Sequence, residues 1–153
     1  MNDDELMAGV RDAFTVLDPV PGDVLAAARA ALGWRLPAAT LAEVSLERTG
    51  GAVRGTRAAP SAGAVRTLAF TCPDATIELE VAGTGRFREM SGRIVPTAVA
   101  SVVVRHRDLP PDRVGVRVEP GGLFCLPQVP PGLVSLVFRR DDGTSVVTSW
   151  VRV

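Results

Sequence analysis

Ala75-Thr76-Ile77-Glu78-Leu79-Glu80-Val81-Ala82 alternates apolar and polar residues without a break. Side chains on an extended chain point to opposite faces in turn, so this stretch predicts a strand with one face in a core and the other in water. Runs of similar texture surround it: Arg66 to Cys72, Arg86 to Val95, Val99 to His106, Arg113 to Glu119, Leu123 to Leu126, Leu133 to Arg140 and Ser145 to Val153, separated by Gly, Pro and Asp. Short strands at regular spacing predict an antiparallel β-sandwich or small barrel over residues 65–153. Asp142-Gly143 between the last two runs is a hairpin signal, because glycine accepts positive φ without steric cost.

Toward the N-terminus the period changes. Leu6, Met7, Val10, Ala13, Phe14 and Leu17 recur at three- and four-residue spacing, one stripe of a helix that Asn2 or Asp3 can cap. Asp3, Asp4 and Glu5 fall in its first turn, where they favour the positive end of the helix dipole. Asp18-Pro19 ends it, and Pro21, Asp23 and the alanine-rich run Val24 to Leu32, closed by Gly33, predict a second helix with Trp34 as an anchor. Residues 1–36 are therefore a helical hairpin, giving an α+β chain. Residues 37–64 connect the two parts: Thr40 to Glu43 fits a capping-box turn running into a strand to Arg48, and Thr49 to Ala64, with several glycines, fits a loop.

Composition narrows function. The 153 residues carry seventeen basic and seventeen acidic side chains, every basic one an arginine, so no global field draws the chain to nucleic acid or anionic membrane. Residues 1–47 hold eight acids against three arginines, which leaves the hairpin end acidic and the strand-rich end basic. Met1 to Val20 is acidic, the reverse of a basic leader, and no apolar run approaches the ~18 residues that span a bilayer, so a cytosolic protein is expected. Cys72 and Cys125 stand far apart in apolar runs and are read as buried free thiols.

Enzymatic motifs are not found. His106-Arg107-Asp108 lacks the companion motifs of a kinase, and this lone histidine is read as a solvated or hydrogen-bonded surface group. One histidine and two separated cysteines offer no metal spacing, no serine sits in a Gly-x-Ser-x-Gly elbow, and Gly50 to Gly55 and Gly83-Thr84-Gly85 read as turns. Glu78, Glu80 and Glu89 are expected to form a solvated face paired with Arg86, Arg88 or Arg93 across strands. No catalytic residue, cofactor or metal site is assigned.

Ser91-Gly92-Arg93-Ile94-Val95-Pro96, then Gly121-Gly122-Leu123-Phe124-Cys125-Leu126, then Val129-Pro130-Pro131-Gly132-Leu133-Val134-Ser135-Leu136 resembles the carboxypeptidase-regulatory-like, transthyretin-like sandwich. The resemblance implies a binding or structural module with Phe124 and Leu126 on one inward face. Asp18-Pro19-Val20-Pro21, the run Ala26 to Arg35, Leu41-Ala42-Glu43 and Val147 to Val153 resemble a family of small actinobacterial proteins often encoded near sigma factors of the extracytoplasmic-function type. That resemblance implies a sigma-factor partner and an anti-sigma role, without the His-x3-Cys-x2-Cys zinc signature.

The expected function is thus a non-enzymatic protein–protein interaction, with Leu6, Met7, Val10, Phe14, Leu17 and Trp34 as the surface that enters a partner's groove. The alternative is a sandwich that binds a ligand or peptide through its loops, with Arg54 and Arg57 as candidates.

Overall fold

The computed structural model describes residues 2–50 and 64–153. It divides into two compact units, Met1–Pro37 and Ala38–Val153.

In the first unit, α1 spans Asp3–Leu17 and α2 spans Gly22–Leu32. Asn2 is the N-cap of α1: its side chain accepts from the Asp4 N–H at 2.8 Å, and the Glu5 carboxylate accepts from the Asn2 N–H at 3.2 Å. This reciprocal pair satisfies donors that a helix start otherwise leaves bare. The Asp18 N–H closes the helix on the Phe14 carbonyl at 2.9 Å. Gly33 stops α2 as expected, though with right-handed backbone angles, so its stop uses bonds back to Ala30 and Ala31 in place of a left-handed turn. No residue of either helix is buried.

The second unit is a ten-stranded, mostly antiparallel sheet. Its strands are β1 (Ala39–Gly50), β2 (Val65–Cys72), β3 (Ala75–Ala82), β4 (Arg88–Val95), β5 (Ser101–His106), β6 (Val114–Arg117), β7 (Leu123–Val129), β8 (Leu133–Arg139), β9 (Ser145–Thr148) and β10 (Val151–Arg152). Hydrogen bonding runs in the order β6-β5-β8-β9-β1-β2-β3-β4-β7, with β10 added on β8. The path curls until its end strands β6 and β7 lie side by side, close to a barrel.

Strand β1 makes this one sheet. Its first residues, Ala39 to Ala42, pair in parallel with Ser145 to Thr148, and Glu43 to Gly50 pair antiparallel with β2, with a register shift between Val44 and Leu46. Such a bulge bends a strand, and here it lets β1 pass from one half-sheet to the other. The capping-box turn expected at Thr40 to Glu43 is therefore corrected. Strand partners on both sides claim those backbone groups, and Ala42 is fully buried.

Alternation builds the core. Ala75, Ile77, Leu79 and Val81 are buried while Thr76, Glu78 and Glu80 are exposed. Phe70, Met90, Ile94, Phe124 and Leu126 join them from one half-sheet, and Val102, Val104, Leu136, Phe138 and Val146 from the other. Phe124 and Phe138 meet edge to face, centroids 5.3 Å apart, the arrangement that ring quadrupoles favour. Gly92 is required beneath this contact, since a Cβ there would lie 2.8 Å from the Phe124 ring and closer still to the Glu78 carbonyl. At Asp142-Gly143 the expected hairpin forms: Gly143 has φ +83°, and Asp142 Oδ1 accepts from the Thr144 N–H at 2.8 Å and from its hydroxyl at 2.6 Å.

Candidate functional site

The helical period places Leu6, Met7, Val10, Phe14 and Leu17 along one side of α1, and their exposure runs from 40% at Val10 to 83% at Leu17. Apolar side chains of this size gain about 1.5–3 kcal/mol each when fully removed from water. Along this stripe that gain is largely unrealised. Trp34, just after α2, is half-buried. Asp3, Asp4 and Glu5 sit at the start of α1, and Asp18 and Asp23 lie at the turn between the helices, so both ends of the stripe are acidic. The arrangement sets an apolar stripe between two acidic ends.

A second feature, not anticipated from sequence, lies on the outward face of β1, β2, β3, β4 and β7. Register aligns Leu46, Ala69, Glu78, Arg93 and Leu123 in one row across the strands, and Arg48, Thr67, Glu80, Ser91 and Cys125 in the next. Small side chains beside long ones leave a concavity of about 540 Å³, lined by the whole first row and by Thr67, Glu80 and Ser91 of the second. The alternation of β3 already points Glu78 and Glu80 outward; the dip depends on which small residues register brings beside them, and one strand's pattern does not contain that.

The ion pairs expected on this face do not form. Arg93 stands directly opposite Glu78, but its Nε donates to the Gly121 carbonyl at 3.3 Å. Arg88 donates to the Gly85 carbonyl at 3.1 Å, and Arg86 lies over the Phe87 ring at 5.9 Å. Ion pairs form elsewhere, at Arg66–Glu47 (2.8 Å), Arg107–Asp108 (3.2 Å) and Arg139–Asp112 (2.9 Å). Backbone carbonyls near Arg88 and Arg93 compete with the cross-strand carboxylates and win.

His106 is a second correction. It is only 6% exposed, and both ring nitrogens are engaged: Nδ1 accepts from the Asp108 N–H at 3.1 Å, and Nε2 lies 3.2 Å from the Pro131 carbonyl. Gly132 lies against the ring, so close that a Cβ there would come 2.8 Å from Nε2. The cysteines are free, as expected, but neither is buried: Cys72 is half-buried and Cys125 exposed. Phe124 and Leu126 face inward, so the residue between them must face out. Partial burial, and secondarily the charge of Glu89, pushes the Cys125 thiol up from its ordinary value, away from a reactive thiolate.

Other expectations meet little structure to act on. Burial lowers Arg105, whose guanidinium lies 5.5 Å above the Trp150 ring. Among the described residues no group of three His, Cys, Asp or Glu could hold a metal ion, and no helix is long and apolar enough to cross a membrane. Arg54, Arg57 and most of the Gly50 to Gly55 turn lie outside the described residues. No family model matches the chain, and no curated protein or solved structure matches it either.

Proposed function

We propose that the chain is a non-enzymatic, cytosolic interaction protein whose helical hairpin docks on a protein partner. One observation carries this reading: α1 presents Leu6, Met7, Val10, Phe14 and Leu17 as a continuous stripe, and not one of them is buried. Acids at both ends of the stripe favour a groove with a basic rim, which gives orientation and speed of encounter more than affinity. They also disfavour self-association of two such stripes, since like charges would meet. Together with the resemblance of the hairpin and the C-terminal strand to sigma-factor-linked proteins, this supports a zinc-free anti-sigma-like regulator. The placement of Phe124, Leu126 and Gly132 supports kinship of the sheet with transthyretin-like sandwiches.

The test is capture of a purified extracytoplasmic-function sigma factor from the same host, with Val10→Asp/Phe14→Asp as the comparison protein after circular dichroism confirms its fold. Binding by the parent and loss of at least about tenfold in affinity by the variant is the expected result. Equal binding by both, or binding by neither, overturns it. A second reading rests on the concavity beside Glu78 and Glu80, whose size is that of a small-ligand site. It makes the sheet a binding module acting through a face instead of through loops.

A further inference from the structure

The single histidine, buried at the joint between two bends, carries an inference independent of the hairpin. Asp108 N–H is a donor, so the ring nitrogen that faces it, Nδ1, must be the unprotonated one. The proton then sits on Nε2, which donates to the Pro131 carbonyl. The neutral ring thus ties the turn at residues 106–109 to the bend at 130–132. Gly132, at φ +150° and close against the ring, in turn holds Val153: its N–H donates to the Val153 main-chain oxygen at 3.0 Å, and the Val153 N–H donates back to the Gly132 carbonyl at 2.8 Å. Two residues before, Val151 and Arg152 pair with Val134 and Leu133 of β8.

We propose that His106 is a pH-operated bracket for the C-terminal strand. When a proton from solvent adds to Nδ1, the ring loses its only acceptor, and Asp108 N–H and Nδ1–H are left as two donors facing each other. The turn must open to separate them, and the ring that supports Gly132 shifts with it. The release passes through Gly132 to Val153 and β10. The charged groups around the ring are few. Arg107 and Asp108 lie on its own turn and pair with each other, and Arg105 precedes it on the opposite face of β5. The 129–132 bend and Val134, opposite His106 in register, contribute none, and β10, paired alongside Leu133 and Val134, carries Arg152.

The experiment uses the unaltered full chain. Since it has one histidine, the ring resonance is assigned without ambiguity, and amide exchange is followed by NMR from about pH 7.5 to about pH 5.5, the span over which histidine changes charge. After correction for intrinsic exchange, protection at Asp108, Gly132 and Val153 should fall together by about tenfold relative to Phe138, the equilibrium factor of one lost backbone hydrogen bond. Unchanged protection at those three amides, whether or not the ring titrates, overturns the proposal. In His106→Phe, which keeps an aromatic floor under Gly132 but has no ring nitrogen, the pH response should vanish; a response that persists in a folded His106→Phe overturns it too.

Discussion

Helix α1 and strand β3 are both amphipathic and written in equally regular periods, yet they end differently. Strand β3 buries Ala75, Ile77, Leu79 and Val81, whereas α1 buries nothing. A period states which face of an element is apolar; it does not state what meets that face. For β3 the answer is local, because β2 and β4 flank it and the opposing half-sheet closes over it. For α1 there is no such partner within its own unit among the described residues: α2, eleven residues rich in alanine, makes at most slight contact with it. The sheet unit buries its apolar faces within itself, and the helical unit buries none of its own.

The sharpest way to break this contrast is to truncate one phenylalanine on each side of it. Phe138→Ala should cost about 3–5 kcal/mol in urea unfolding, as for any fully buried aromatic, while Phe14→Ala should stay within about 0.5 kcal/mol. Equal costs would make the stripe core and end the docking proposal. Gly132→Ala follows, expected to cost about 1–3 kcal/mol because the methyl group meets the His106 ring and the backbone sits at positive φ. A loss of that size read from the sheet, with helicity unchanged, sharpens the division between units. Asn2→Ala should do the reverse, weakening α1 by about 1 kcal/mol, seen as lost helical circular dichroism with the sheet transition unmoved.

The smallest effect belongs to Asp142. Hydrogen bonds from the Thr144 hydroxyl and then from its N–H hold this carboxyl below its ordinary value, though it is fully exposed. A depressed carboxyl stabilises the fold above its unfolded-state pKa, and the contribution is lost as pH falls through the lowered folded-state value. Asp142→Ala should therefore lower the urea midpoint slightly near about pH 7, and the difference should close near about pH 2. A gap that persists in acid would assign the effect to turn geometry alone.

Much of the sheet was legible from alternation and punctuation. The run Ala75 to Ala82 is a strand between those very residues, and α1 starts and stops where its cap and Asp18-Pro19 indicate. What could not be read is pairing between distant segments. Thr40 to Glu43 carries a good local helix-start signal, yet Ser145 to Thr148 on one side and β2 on the other impose a strand, and tertiary pairing outweighs a cap. His106 looked like a strand-end surface residue because the glycine that covers it is in another segment. The arginine pairs failed for a related reason: register predicts which side chains are opposite, but not that Gly121 and Gly85 offer carbonyls within reach. Of the hairpin residues, the sequence alone indicates a shared stripe, and their exposure is what the structure adds.

The double role of β1 carries a consequence for synthesis. Ala39 finds its partner in Ser145, so the parallel seam joining the two half-sheets stays open on the ribosome until Ser145 to Thr148 have emerged, more than a hundred residues later. Strands β2, β3 and β4 can zip as successive hairpins while translation continues, since each pairs with its neighbour in sequence. The leading end of β1 must wait as an unpaired edge, the kind of surface that recruits stray strands at high protein concentration or calls for a chaperone.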